Sequence, residues 1–346
     1  MQRVLLIGSG RRIQNNFVPA LSCLKADFKI VGIHSKTPEH YQAVAQKFQI
    51  TPIESIDDRI LAQTDVVVIS VPRYIWPSIL LKLEKHAQRL TVIIDTPLNI
   101  PCINLLKKFK KIIITEDYFN FPQFELLREF CTVETIGNIK AVNLHHNGYR
   151  YHGTSLIRSF FDFKQALSIT SKIHGSSVDL FLRFPNHATA SMLEPYTGEG
   201  TIEISGEKAS VSNDVKNSNA EYILKPIYTE AFITAFEING NGKTARKELS
   251  YLPELIKQGA TDNFQIQKMH GLITVFQSIL KDNIYSKYNF YQALYDTLIS
   301  EPLRITQATI FDPAGRYPSI FYSRVYWCYL QIASSLIKLK GRLFKK

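Results

Sequence analysis

Five short β-branched runs, at Val4–Ile7, Phe28–Ile33, Asp65–Val71, Thr91–Ile94 and Lys111–Thr115, alternate with stretches of helical spacing. Each run is too short for a helix and is bounded by turn residues. Between them, Ile13, Phe17, Leu21 and Leu24 share one helical face, as do Tyr41, Val44, Ala45 and Phe48. Thr37-Pro38-Glu39 opens the second helix with a hydroxyl at the cap, proline at the first helical position and an acid in the first turn. Pro19 falls inside the first helix and predicts a kink there. Strands alternating with helices of this length predict βαβ units and an α/β, doubly wound parallel sheet over residues 1–118.

Beyond residue 120 the pattern changes. A helix is expected from Pro122 to Cys131. Alternating runs follow at Ile139–His146, Ser168–Ile173, Asp179–Phe184, Thr189–Leu193, Thr201–Ser205, Ala209–Ser212 and Ala231–Asn239, and helical spacing returns over Asn263–Leu280 and Asn289–Ser300. Successive strands separated by Gly, Asn and Pro predict an α+β domain over 119–310 with an open, mainly antiparallel sheet. Its expected role is substrate binding and oligomerisation. His145 and His146 point to opposite faces of their strand and cannot share a metal.

The formal net charge is +11, from 41 Lys and Arg against 30 Asp and Glu. Residues 1–118 carry 16 basic and 10 acidic side chains (+6), residues 119–310 carry 18 and 19 (−1), and the last 36 carry 7 and 1 (+6). With a neutral middle there is no single basic domain, which argues against nucleic acid as a partner. The expected polyanion is a cofactor. Cys23, Cys102, Cys131 and Cys328 lack metal or redox spacing and read as buried thiols, so no metal site is expected. The N-terminus does not read as a signal peptide and no run reaches the roughly 20 apolar residues of a membrane span, so a cytoplasmic location is expected.

The end of the chain is different. Phe321, Val325, Cys328, Ile332, Leu336, Leu339 and Leu343 recur at helical steps and are followed by Lys338, Lys340, Arg342, Lys345 and Lys346. Residues 311–346 are therefore expected to form a basic amphipathic helix. Residues 318–346 either lie in a membrane interface or pack on the protein with the basic end complementing the helix dipole.

The opening Val4-Leu-Leu-Ile-Gly8-Ser-Gly10-Arg11-Arg12-Ile13 runs from strand through a glycine turn into a helix. Gly8 permits the tight turn, and Gly10 lets the backbone approach a pyrophosphate at the helix N-terminus. Ile13 stands at the third glycine of the usual fingerprint. Arg11 and Arg12 are further candidate phosphate contacts, or surface arginines. The second strand ends in Ile33-His34-Ser35-Lys36-Thr37, without the carboxylate that binds a ribose 2′-hydroxyl in NAD sites. Ser35 with Lys36 suits a 2′-phosphate, so NADP is expected over NAD. The alternative is that Ser35 and Thr37 cap the next helix and Lys36 faces solvent.

These motifs, in this order, resemble the glucose-fructose oxidoreductase/inositol dehydrogenase (Gfo/Idh/MocA) family over most of residues 1–310. The resemblance is carried by GSGRRIQNNFVPAL, Thr64-Asp-Val-Val-Val-Ile-Ser-Val-Pro72 at the family's fourth strand, and Asp95-Thr96-Pro97-Leu98 in place of Glu-Lys-Pro-Leu. Glu116-Asp-Tyr-Phe-Asn-Phe-Pro122 and Gly198-Glu-Gly-Thr-Ile-Glu-Ile-Ser-Gly206 complete it. It implies an oxidoreductase that transfers hydride to or from a sugar, a sugar nucleotide or a related carbonyl or imine. It also implies a homo-oligomer, often a dimer, and with a membrane-facing tail it fits cell-surface polysaccharide synthesis. Val71, Pro72, Asp95 and Pro97 fall at its cofactor-binding positions.

The departures fall on the chemistry. Thr96 replaces the family's catalytic Lys, Trp76 stands where a His follows the fourth strand, and the downstream His and acid fall near Ser155 and Arg158. Hydride transfer still needs a nearby acid or base. Tyr118 and His152 are the candidate proton donors, with Thr96 beside them; packing at the hinge and a structural imidazole are the competing readings. Arg150, Arg158 and Glu116 are candidate substrate contacts. A nucleotide-binding sensor or scaffold without turnover is the competing function.

Overall fold

The computed structural model describes residues 1–303 and 309–311, apart from 97, 99–101, 176, 199, 217 and 282. The expected C-terminal helix, Cys328 and Pro97 lie outside the described residues. Strands β1 (Gln2–Ile7), β2 (Phe28–His34), β3 (Val66–Ile69), β4 (Thr91–Asp95) and β5 (Lys111–Thr115) form one parallel sheet in the order β2-β1-β3-β4-β5. Such strands are covered on both faces, which is why Val66–Ile69 is apolar throughout and wholly buried. Helices α1 (Val18–Cys23), α2 (Pro38–Phe48), α3 (Asp58–Ala62), α4 (Trp76–Leu83) and α5 (Ile103–Leu106) make the connections. Outside β2 there is one further parallel bridge, Ile33 to Pro52. The segment 64–72 is therefore the third strand along the chain, although it resembles the family's fourth.

Two local details depart from expectation. The residues before α1, Ile13–Phe17, form a π-turn. The wider turn accommodates Pro19, which has no N–H for the preceding turn and whose ring would clash with a regular i−4 carbonyl. Thr37 does precede α2, with Pro38 at the first position, but its hydroxyl makes no capping hydrogen bond.

The second sheet has ten strands in the order β14-β13-β12-β11-β10-β6-β9-β8-β7-β15. They are β6 (Ile139–His145), β7 (Ser168–His174), β8 (Ser177–Arg183), β9 (Thr189–Glu194), β10 (Thr201–Gly206), β11 (Ser210–Ser212), β12 (Tyr222–Thr229), β13 (Phe232–Gly240), β14 (Lys243–Glu248) and β15 (Thr309–Phe311). Its pairings are antiparallel except β6 with β9 and β11 with β12. The fold is thus a parallel Rossmann sheet joined to an α+β unit with a large mixed sheet. Strands β12 and β14 escape pattern reading for different reasons. Pro226 interrupts β12, but β11 pairs only with Tyr222 and Ile223, so Pro226 sits where that side of the strand is open. Strand β14, Lys-Thr-Ala-Arg-Lys-Glu, is a charged edge that buries none of its residues.

Helices α6 (Pro122–Phe130), α7 (Arg150–Ser159), α8 (Leu252–Lys257), α9 (Asn263–Leu280) and α10 (Phe290–Leu303) complete the fold. Helix α9 returns to the first sheet, where Phe276 packs edge-on to Phe17 (6.2 Å between centroids) and against Phe28 (5.5 Å). It is also fastened to α6. Glu125 accepts hydrogen bonds from Thr274 (3.0 Å) and pairs with His270 (3.1 Å) and Lys247 (3.2 Å). Among the described residues no helix is long and apolar enough to cross a membrane.

Burial of Glu125 would raise its carboxyl, but the His270 hydrogen bond and the charges of His270, Lys247 and Arg128 prevail and hold it at about 2, against an ordinary 4.5. A depressed folded value stabilises the chain above the unfolded value and loses that stabilisation as pH falls through the folded one. Glu125→Gln is therefore expected to destabilise by on the order of 2–3 kcal/mol at pH 7. The difference from the parent should close between pH 4.5 and about 2. Urea denaturation across that range measures it; a pH-independent difference would contradict the pairing.

Candidate functional site

The strand ends define the site. Gly8 leaves β1 with φ +125°, and a Cβ there would lie 2.2 Å from the Ser70 carbonyl oxygen beyond β3. At Gly10 a Cβ would meet nothing within 4 Å, so open space lies in front of the backbone. The first intrahelical bond runs from the Gln14 N–H to the Gly10 carbonyl (3.2 Å), which leaves the preceding N–H groups of the turn without helical partners. The Ser9 hydroxyl donates to Ser35 Oγ (2.9 Å), tying the glycine turn to the end of β2, and Lys36 beside it is exposed. Arg11 is exposed, and Ile13 is buried in the core. This geometry fits a dinucleotide: a cradle open at Gly10, unpaired helix N–H groups, and cations at its rim.

Arg12 is not at that rim. Its guanidinium turns inward, 19% exposed, and contacts Asp117 (2.9 Å) and Asp95 (3.4 Å) while lying over the Phe17 ring. The expectation that it binds phosphate is corrected accordingly: burying a guanidinium requires a counter-charge, and these two carboxylates supply it. Asp95 also accepts from Thr115 (2.7 Å) and Ser70 (3.2 Å). Burial would raise Asp117, but the Arg12 and Lys268 charges hold it below the usual carboxylate range.

Glu116, on the exit from β5, is wholly buried and lies 2.7 Å from His152 Nδ1. Burial pushes its carboxyl up against the lowering effect of the imidazole. His152, in the first turn of α7, keeps 12% of its side chain exposed. A carboxylate on Nδ1 fixes the proton there and leaves Nε2 to exchange protons. Next to it, Tyr151 meets the Thr96 hydroxyl beyond β4, so α7 brings His152 to the end of both strands. Arg150 is exposed and has φ +49°, and its N–H donates to the buried Glu194 (2.5 Å). Val71 is half-buried and Pro72 exposed on the loop after β3.

Two further expectations are corrected. Tyr118 is 3% exposed, and its hydroxyl donates to the Asn147 carbonyl (3.1 Å) and lies 3.2 Å from Asn147 Oδ1. Phe121, Phe124, Tyr149 and Tyr196 surround the ring, and burial raises the phenol well above its ordinary value. It packs the junction and has no open face for a substrate. Arg158 is 0% exposed and pairs with Asp296 (2.6 Å), with the Phe163 and Lys164 carbonyls and Gln292 as further acceptors. Burial lifts Asp296 to about 6 against the opposing pull of Arg158. This guanidinium holds α7 to α10 and is not available to a ligand. Trp76 is likewise buried, its indole N–H donating to the Val71 carbonyl (3.0 Å).

Helix α9 contributes residues that sequence reading did not single out. Phe264, Lys268 and Gly271 share one face at steps of four and three. Phe264 meets Tyr196 and Phe121, Lys268 faces Asp117, and a Cβ on Gly271 would lie 2.4 Å from the Asp117 carbonyl oxygen. Tyr149 and Tyr151 flank His152 within the Tyr-Arg-Tyr-His run, a local aromatic enrichment that was the available signal. No group of three or more His, Cys, Asp or Glu able to hold a metal occurs among the described residues.

A glycine-turn Rossmann sheet with its strand ends facing an α+β unit defines a dinucleotide-binding fold. Residues 2–112 match the Gfo/Idh/MocA family model, described as an oxidoreductase family with an NAD-binding Rossmann fold. No curated protein matches the chain. Solved structures share the fold well beyond the profile. An oxidoreductase from Thermotoga maritima is 17% identical with a TM-score of 0.62, covering 90% of this chain and 98% of its own. Levoglucosan dehydrogenase in complex with NADH and levoglucosan is 13% identical, TM-score 0.63, covering 90% and 99%. An oxidoreductase from Agrobacterium radiobacter in complex with NAD+, L-tartaric acid and magnesium is 12% identical, TM-score 0.65, covering 90% and 98%.

The two glycines of the turn should respond differently to an added methyl. Gly8→Ala is expected to destabilise by more than about 2 kcal/mol, through a strained φ and a backbone clash. Gly10→Ala should change stability by less than about 1 kcal/mol. Thermal melts of both variants decide this, and equal losses would refute the difference in surroundings.

Proposed function

We propose that the chain is an NADP-dependent oxidoreductase acting on a sugar, a sugar nucleotide or a related polar carbonyl or imine. Residues 1–118 serve as its dinucleotide-binding domain and residues 119–310 as its substrate and oligomerisation domain. The observation that carries the reading is the Glu116–His152 pair, 2.7 Å apart and beside Thr96, at the strand ends that face the second sheet. Ligands in open α/β sheets bind beyond the carboxyl ends of the strands.

A bound nicotinamide supplies or accepts the hydride. Gly8, Gly10 and the N–H groups of the Arg11–Ile13 turn hold the pyrophosphate, while Ser35 and Lys36 take the 2′-phosphate, with Arg11 at the rim. Val71, Pro72 and Asp95 border the nicotinamide end. His152 Nε2 gives a proton to the substrate oxygen or nitrogen during reduction, or takes one during oxidation. Glu116 orients the imidazole and stabilises its charged form, and Tyr151 with Thr96 fixes the start of α7. Arg150 meets an anionic group of the substrate. Similarity to levoglucosan dehydrogenase and to the Agrobacterium oxidoreductase supports a small polar substrate.

A second reading, dinucleotide binding without turnover, is favoured by one observation. Thr96 and the buried Trp76 leave no ionisable group at two positions where the family carries its Lys and His.

Two measurements separate these readings. Lys36→Ala should weaken NADPH binding about tenfold, the worth of one charge-assisted contact, and leave NADH unchanged. Equal effects on both cofactors would remove the NADP assignment. His152→Gln should lower turnover about 10²–10⁴-fold with cofactor affinity retained. Absence of turnover in the parent chain across carbonyl and imine substrates, with NADPH bound, would favour the second reading.

A further inference from the structure

Asp95, Glu116 and Asp117 converge at the ends of β4 and β5, and the cations that meet them come from other elements. Arg12, from the glycine-turn helix, contacts Asp95 and Asp117. His152, from α7, contacts Glu116. We propose that Arg12 is a positioning residue that sets the protonation of the Glu116–His152 pair, by compensating Asp117, the buried carboxylate next to Glu116.

The geometry carries the argument. Glu116 and Asp117 are consecutive and both buried, so water screens neither. With Arg12 and Lys268 both in place, the charges of Asp117 and Asp95 are balanced two against two, and Glu116 is the immediate counter-ion of the imidazole. Without Arg12 one uncompensated negative charge would act on His152, chiefly that of Asp117, and favour the imidazolium. Arg12 is held for this role from several directions: Phe17 lies under its guanidinium, and Asn16 Oδ1 is 3.4 Å from Nη1.

The other groups around His152 do not replace it. Tyr149 and Tyr151, three residues and one residue before it in sequence, are both pushed up by burial, Tyr149 to about 12, and stay neutral. Tyr118 and Tyr196, from the β5 and β9 exits, are raised in the same way. From α9, Lys268 faces Asp117, so it assists Arg12 at a single carboxylate. Glu194 meets the backbone N–H of Arg150, whose exposed side chain stands in solvent.

The proposal rests on the assignment of His152 for its meaning in turnover, but its test needs no substrate. Imidazole nitrogen shifts of the ¹⁵N-labelled chain are followed against pH, with His152 identified by its absence in His152→Gln. Arg12→Met should raise the His152 midpoint by about one unit or more, and Asp117→Asn should lower it. The double variant, in which the two charges leave together, should return close to the parent. Should Arg12→Met fail to fold, Asp117→Asn against the double variant still gives the effect of removing Arg12, again upward. Identical midpoints for Asp117→Asn and the double variant, or for Arg12→Met and the parent, would overturn the proposal. Full turnover by His152→Gln would instead overturn the catalytic assignment and leave these shifts standing.

Discussion

Two buried carboxylates, Glu116 and Asp117, and the half-buried Asp95, where two adjacent parallel strands end, are the constraint around which the molecule is arranged. Ionised carboxylates cannot be taken out of water without counter-charges, and no cation on β4 or β5 themselves serves them. The counter-charges therefore arrive from elsewhere in the chain: Arg12 from position 12, His152 from the start of α7, and Lys268 from α9. Each contact brings an element to the same point. The start of the π-turn, which Arg12 precedes, the entry to α7 and the close approach of Gly271 are local features tied to one electrostatic centre.

That arrangement explains how the two sheets communicate. The turn Tyr118–Asn120 leaves the first sheet, and its neighbours clamp it: Tyr285 donates to the Glu116 carbonyl (2.8 Å), Asn120 donates to Tyr285 (2.9 Å), and Arg128 bonds Phe119 and Asn120. The aromatic ring set of Tyr118, Phe121, Phe124, Tyr149 and Tyr196 fills the space around it. A reactive group placed here is held by packing on several sides, which is the condition for precise proton transfer.

Much of the fold was legible because burial on both faces leaves a strong mark in sequence. The five β-branched runs of the parallel sheet match β1–β5 to within a residue or two, and helices α9 and α10 follow from their periodicity. Strands β12 and β14 were not legible, since a proline and an almost wholly polar edge erase the alternation on which strand reading depends. The glycine turn and the places of Thr96 and Glu116 at strand ends could be anticipated, whereas His152 reaches them from α7. The commitments of Tyr118 and Arg158 could not, because the partners that occupy them, Asn147 and Asp296, lie 29 and 138 residues away.

The arginines show why such assignments need three dimensions. Arg11 and Arg12 are neighbours in sequence, yet consecutive helical residues point about 100° apart, so one faces solvent and the other faces carboxylates. Arg150 and Arg158 lie on one helix and divide in the same way: Arg150 is exposed on a strained residue at its start, and Arg158 is sealed beneath Tyr295 and against Asp296. A guanidinium that has already lost its water and gained a carboxylate has nothing left to offer an incoming anion, whereas an exposed one exchanges water for that anion. The arginines around the site thus form two populations. The buried arginines are committed to carboxylates, whereas Arg11, Lys36 and Arg150 are exposed.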